Sequence, residues 1–403
     1  MKYNRSLYKL KYIIPVKGGN TMLKYIPLLF FVLLLFAQVG LPGSDTPDTK
    51  TPLGLPQLTI PADNPQTPEK IALGEKLFND KRFSKTGEVS CATCHDAAKA
   101  FTDSPLKVSE GINKLTGTRN APTVINSVYF ETLFWDGRSP DLEDQSQHPF
   151  INPVEMGLPD HQPIIDIIKS DPEYVAAFEK VFGKSGDDLG MTEVKQAIAA
   201  FERTLISGNS PFDHWYFAKE PDALTAQQQR GFNLFINEGR CVSCHLIEQT
   251  QALFTDNRFH NVGVGINNIQ DEVPELASEY IAADIKATEV DIKVLTDKRS
   301  SELGRFALTT GFDDLGAFKT PTLRNIALTA PYMHDGSIAT LREVVVHYNN
   351  GGVTKEGDPV NDFLSGGIRP LNLSDGQIDD LVAFMEALTS PEIAKAAEAA
   401  GKK

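Results

Sequence analysis

The sequence predicts a mainly α-helical chain built from two tandem copies of one domain, and three observations carry that prediction. A five-residue pattern, C-x-x-C-H, occurs twice, as "CATCH" from Cys91 and as "CVSCH" from Cys241. The strings flanking it recur in the same order in both halves. The clearest periodic stretches, "MTEVKQAIAAFERTLI" and "SDGQIDDLVAFMEAL", place apolar residues at helical spacing, while strand-like alternation is sparse.

In chain order, the first element is a leader. Lysines and Arg5 precede the apolar run "IPLLFFVLLLFA", Ile26 to Ala37. A basic start and a run of that length fit a secretory signal better than a spanning helix, which needs about 20 apolar residues. Residues 1–45 therefore read as signal and leader, starting at Met1 or Met22, with an uncleaved anchor as the alternative. Residues 46–67, in a stretch rich in Pro, Thr and Asp, read as a flexible linker.

The first domain is placed at 68–215 and the second at 222–390, divided at a junction around Pro221. "GEKLF" at Gly74 matches "GFNLF" at Gly231, and "FTD" follows each C-x-x-C-H, at Phe101 and Phe254. "GIN" recurs at Gly111 and Gly265, and "PTVIN" at Pro122 matches "PTLRN" at Pro321. Asp136-Gly137 in "FWDGR" aligns with Asp335-Gly336 in "YMHDG", which sets His334 opposite Trp135. The segment from Asn268 to Ser301 has no partner in the first half and reads as a surface insertion.

All four cysteines lie in the two motifs. A disulfide framework would not need His95 and His245 in the same place twice, and zinc would want four ligands per site. C-x-x-C-H is the attachment signature of c-type haem: two thiols bond the porphyrin and the adjacent His ligates iron. Cys91, Cys94 and His95, and Cys241, Cys244 and His245, are thus read as holding two covalent haem c groups in two cytochrome c-like domains.

The halves differ on the far side of the iron. In the second, "TLRE" is a capping box, with Thr340 as N-cap and Glu343 three residues on. The helix then carries Leu341, Val344, Val345 and Tyr348 on one face. Tyr348 is the expected sixth ligand, with His347 and Met333 as the alternatives; His347 is expected to face solvent or the helix edge. In the first half Pro149 stands where Tyr348 does, and proline has no coordinating atom. One closed and one open iron face follow. Trp215 and His260 read as packing residues, and Arg138, Arg305 and Lys319 as candidate partners of the haem propionates.

Composition sets outer limits. Lys plus Arg number 39 against 53 Asp plus Glu, a formal charge of −14. Nucleic-acid binding wants a basic stripe, so it is excluded as a partner. An acidic surface is compatible with a cationic redox partner.

The strings "RNAPTVINSVYFETLFWDGRSPDLEDQ", "NPVEMG" and "FKTPTLRNIALTAPYMHDG" resemble the bacterial di-haem cytochrome c peroxidase and MauG family. The resemblance covers nearly the whole chain after the leader. It implies a periplasmic peroxidase that reduces hydrogen peroxide at the N-terminal haem and relays electrons through the C-terminal one. A small electron-donor protein, a cytochrome c or cupredoxin, is implied as partner, and a homodimer is left open. Glu155 and Gln145 are implied to line the peroxide pocket, Glu155 as acid–base and Gln145 by hydrogen bonding, and Trp135 to bridge the haems. A calcium ion between the domains is implied at Asn120, Thr329 and Pro331.

Two departures bear on the activity. Members that need reductive activation carry a distal His seven residues before the Arg of "RN", and counting back from Arg119 gives Ile112. Typical members use Met where Tyr348 stands, and MauG-type members use Tyr. The alternative function is therefore a MauG-like peroxide-dependent oxidase of a protein or other substrate through high-valent haems. Against its best-known form, the Trp that MauG uses two residues before the second motif is Gly239 here. A non-enzymatic electron carrier ranks last, since it needs no open iron face.

Overall fold

A computed structural model of the chain describes residues 51–283, 287–353 and 361–401. The proposed signal and leader, and residues 46–50 of the linker, lie outside these residues. Each half is organised around one crossed pair of helices. In the first, Pro68–Asn79 starts at the N-cap Thr67, whose hydroxyl accepts from the Lys70 amide at 3.2 Å. Its buried residues Leu73, Leu77 and Phe78 join a core with Val194, Ala197, Ile198 and Phe201 of Met191–Glu202. The axes approach closely because Gly74 meets the second helix with no side chain; a Cβ there would overlap the Ala197 carbonyl and touch Phe201.

The second half repeats this contact. Ala226–Ile236, capped by Thr225 with Gln228, crosses Asp375–Glu386, and a Cβ on Gly231 would overlap the Asp380 carbonyl and touch Phe384. Gly74 with Phe201 and Gly231 with Phe384 are equivalent pairs, so the repeat seen as "GEKLF" and "GFNLF" is a repeat of helix packing.

The "WDG" and "HDG" loops are equivalent too. Each is closed by one short bond, Leu133 N–H to Ser139 O at 2.8 Å and Tyr332 N–H to Ile338 O at 2.7 Å. Each turns on a left-handed residue, Phe134 at φ 65° and Met333 at φ 74°. The loops then exchange bonds across the halves: Asn120 N–H donates to His334 O and Lys319 N–H to Trp135 O, both at 2.7 Å. Asn120 aligns with Lys319 and Trp135 with His334, so the two bonds are related by a pseudo-two-fold. Sheet among the described residues is one antiparallel ribbon, Phe259–His260 with Phe318–Lys319.

Two expectations about surface segments need correction. The described part of the linker, 51–67, is packed. Leu53 N–H donates to Asn209 Oδ1 at 2.8 Å, and the Gly54 carbonyl accepts from Arg324 Nη2 at 2.7 Å. Asn64, 1% exposed, bonds Glu143 and Lys70. Its polar residues satisfy buried groups of the body, which composition alone cannot reveal.

Nor is the segment after Asn268 a surface insertion. Its helices Val273–Ala283, Ala287–Thr296 and Lys298–Glu302 bury Leu276, Tyr280, Val290 and Val294 in a core of their own. That core takes in Val154 from the first half. Thr118 Oγ1 donates to Val294 O at 2.7 Å and Arg119 Nε to Ser301 Oγ at 3.1 Å. Among the described residues no helix is long and apolar enough to cross a membrane.

Candidate functional site

One cavity runs from the first C-x-x-C-H motif to the second, and Cys91, Cys94 and His95 line it together with Cys241, Cys244 and His245. All four thiols are free. Each His is aimed by the loop that follows it. His95 Nδ1 lies 3.2 Å from Phe101 O, and His245 Nδ1 lies 2.8 Å from Phe254 O. Phe101 and Phe254 sit at φ 56° and 54°, a left-handed turn that swings each carbonyl back toward its imidazole. A carbonyl on Nδ1 fixes the tautomer that leaves Nε2 for a metal. Burial lowers the pKa of both imidazoles, favouring the neutral form that ligates iron. Free thiols, neutral His and a shared apolar cavity fit haem attachment at both motifs.

Three short elements carry the remaining first-half residues to the cavity wall. Asp141 caps Leu142–Gln145 and sets Gln145 in the cavity wall. The next turn of helix, His148–Ile151, brings Pro149 to the same wall, where the second half has Tyr348. Glu155 comes from the turn after it, pinned by Ile112 N–H to Glu155 O at 2.9 Å and Lys85 N–H to Met156 O at 2.9 Å. Gly111 presses on this turn so closely that a Cβ would overlap the Val154 carbonyl. Burial, with Asp291 adding to it and Arg138 opposing, pushes the Glu155 carboxyl up to about 7. Ile112, the counterpart of the activating His, is a core residue at 4% exposure.

On the second side, Leu341–Asn349 starts on the capping box expected of Thr340 and Glu343. Tyr348 and Met333 line the cavity. Burial raises the Tyr348 phenol above its ordinary value. His347 does not face solvent. It is 0% exposed and its Nε2 lies 2.8 Å from Val262 O, on the side of the helix that packs against the protein. Tyr332 donates its hydroxyl to Ile326 O, and His334 pairs with buried Glu302 at 2.8 Å and stacks on Phe318.

Trp135 lines the cavity between the halves, its indole N–H donating to Asn120 O at 2.9 Å. Asn120, Thr329 and Pro331 share that wall, and the Asn120 amide N–H groups go to Leu106 O and Lys107 O. These bonds commit the amide nitrogen and orient the side chain. Two of the propionate candidates are otherwise engaged. Arg138 is clamped by Asp136 and Asp291, and Arg305 donates to Asp136 O at 2.9 Å beside the Phe259 ring, away from the cavity wall. Lys319 does line the cavity; burial lowers it to about 7, and its Nζ donates to Thr132 O at 2.7 Å. Trp215 packs on Phe232, but His260 is a cavity residue paired with Asp256 at 2.8 Å.

Sequence reasoning missed Asp291, Leu295 and Glu202. Leu295 reaches the cavity from the misjudged insertion, and Glu202 is a buried carboxyl on the wall, pushed up to about 8 by desolvation. No local motif marks any of them.

Comparison with known proteins agrees with this geometry. The sequence model of the di-haem cytochrome c peroxidase family matches residues 68–221. Cytochrome-c peroxidase IdrP1 of Denitromonas iodatirespirans is 38% identical over 348 residues, covering 85% of this chain and 87% of that protein. The chain belongs to the di-haem cytochrome c peroxidase family. Within that family, methylamine utilization protein MauG of Methylorubrum extorquens is 35% identical, covering 81% of this chain and 80% of its own. The crystal structure of a MauG-like protein associated with microbial copper homeostasis superposes with a TM-score of 0.68 at 31% identity, covering 86% of this chain and 96% of that one. As a di-haem cytochrome c peroxidase the chain is mainly α, carries haem c, and is an oxidoreductase with di-haem peroxidase or MauG-like activity.

Proposed function

We propose that this protein is a periplasmic peroxidase that reduces hydrogen peroxide to water at the N-terminal haem, residues 68–215, with the C-terminal domain, 222–390, relaying electrons from a small donor protein. The observation that carries the reading is the inequality of the two walls: Pro149 on the first side, with Gln145 and Glu155 beside it, and Tyr348 on the second. Bound haem supplies the electrons that cleave the O–O bond. Glu155 as carboxylate accepts the proton of the attacked oxygen and returns it to the departing hydroxyl, a positioned acid–base role. Gln145 orients peroxide through its amide. Trp135, anchored on Asn120, lies on the electron route between the halves. Tyr348, set close to Cys244 and Cys241, would be the ligand on the second haem ahead of Met333. Asn120, Thr329 and Pro331 hold calcium at the seam.

A second reading is a MauG-like oxidase of a protein or other substrate, and Tyr348 favours it, because a hard oxygen donor stabilises oxidised iron. Gly239 weighs against its best-known form: it packs against Leu234 O and the Cys241 thiol, leaving no room for a large ring without rebuilding the turn. Electron paramagnetic resonance of the ferric protein, with stopped-flow oxidation of reduced cytochrome c by peroxide, tests the proposal. One high-spin and one low-spin haem with fast cytochrome oxidation is expected. Two low-spin haems, or peroxide turnover that leaves the cytochrome reduced, overturns it.

A further inference from the structure

Trp135 is held at two points, and both lead to one residue of the other half. Its indole N–H donates to Asn120 O at 2.9 Å, and the Asn120 N–H donates in turn to His334 O at 2.7 Å. Its own carbonyl accepts from Lys319 N–H at 2.7 Å, and the residue before Lys319, Phe318, carries the His334 ring. Those two rings are stacked, with centroids 3.6 Å apart and planes 11° from parallel. His334 is fixed in turn by Glu302, the last residue of Lys298–Glu302. Its Nε2 lies 2.8 Å from Glu302 Oε2, and the two residues are 3% and 1% exposed. Gly265, at φ 80°, makes the room, since a Cβ there would overlap Glu302 Oε2 and crowd His334 Cε1. Ser301, one residue earlier on the same helix, receives Arg119 Nε at 3.1 Å, so the helix end also grips the residue before Asn120.

We propose that His334, fixed by Glu302, is a positioning residue for Trp135: its ring sets Phe318, its carbonyl sets Asn120, and these hold the two ends of the tryptophan. This role rests on the reading of Trp135 as the electron route between the halves. A side chain that must keep one place between two partners needs its supports locked by packing and hydrogen bonds of their own. Without Glu302 the His334 ring nitrogen would be buried and unbonded, which costs at least as much as a lost hydrogen bond, and the ring would leave its stack to find a partner. The loop would follow the ring, because Met333, the residue before it, is held at φ 74°, a conformation that only surrounding contacts maintain.

The test uses the haem-loaded protein in a Trp215→Phe background, where Trp135 is the sole tryptophan of the chain. Ultraviolet resonance Raman spectroscopy reads the hydrogen bond of the indole N–H, and deuterium exchange of that N–H reads how often the bond opens. Glu302→Leu removes the partner of His334, and Glu302→Gln keeps an acceptor oxygen. In Glu302→Leu the Raman band should move to its free-indole position and exchange should quicken about tenfold, the factor that one net hydrogen bond is worth. Glu302→Gln should restore both. A folded, haem-loaded Glu302→Leu protein with the parental band and exchange overturns the proposal. Should that variant not fold, Glu302→Leu combined with His334→Leu carries the test, because two apolar side chains leave no stranded polar group; an unmoved indole there overturns it equally. Electron transfer between the haems, timed by stopped-flow absorbance after peroxide addition, should slow in step with the band. If Trp135→Phe leaves that rate unchanged, the electron-route reading falls, while a displaced indole in Glu302→Leu still upholds the positioning of Trp135 by His334.

Discussion

Replacing Glu155 by Gln keeps the side chain's volume and removes its proton-accepting form. The structure sets both the size of the effect and its pH dependence. With the carboxyl at about 7, raised mainly by burial, about half is ionised at neutral pH, about a tenth one unit below and about nine-tenths one unit above. Peroxide stays neutral over this range, and the carboxylate must take its proton, so kcat/KM for peroxide should climb about tenfold between about pH 6 and pH 8 and then level off. Positioned acid–base groups contribute about 10²–10⁴-fold, so Glu155→Gln should lose about 3–5 kcal/mol of barrier lowering and show no acid limb. The same shift has a stability consequence of definite sign. A carboxyl raised in the folded state stabilises fully below its ordinary value of 4.5, and the contribution fades as pH rises through about 7. The assay is initial-rate oxidation of reduced cytochrome c at limiting peroxide across that range, with the haem content of the variant verified. Turnover within about threefold of the parent, or an acid limb that survives the substitution, refutes the reasoning.

Tyr348→Phe should remove the donor from the second haem's far side, converting its ferric signal from low-spin to high-spin while both haems stay attached; an unchanged spectrum removes Tyr348 as ligand. Gly231→Ala should force the helices Ala226–Ile236 and Asp375–Glu386 apart and lower stability by about 1–3 kcal/mol in denaturant unfolding. Asp213→Asn should cost more, about 3–5 kcal/mol, since it strands Arg324 at 2% exposure and loosens the Gly54 contact of the lead-in.

How much was legible in advance divides along the range of each interaction. Haem attachment is a five-residue pattern, and the duplication is a matter of matched short strings, so both read directly from the chain. So did the Thr340 capping box and the register that sets Tyr348 on its apolar face. The same helix also shows the limit: His347, one position earlier, read as facing solvent or the helix edge because the helix was judged by one stripe, and Val262, 85 residues away, covers it.

The sequence by itself determined two iron-binding centres, their order and the proline that stands in place of a ligand on one side. These are consequences of covalent chemistry and local backbone geometry. Only the tertiary structure decided what surrounds them. The lead-in became part of the body because Arg324 needs the Gly54 carbonyl, and the unmatched segment packed against the first half because Arg138 needs Asp291, 153 residues away. A buried charge must find its partner somewhere in the fold, and nothing near it in the chain says where.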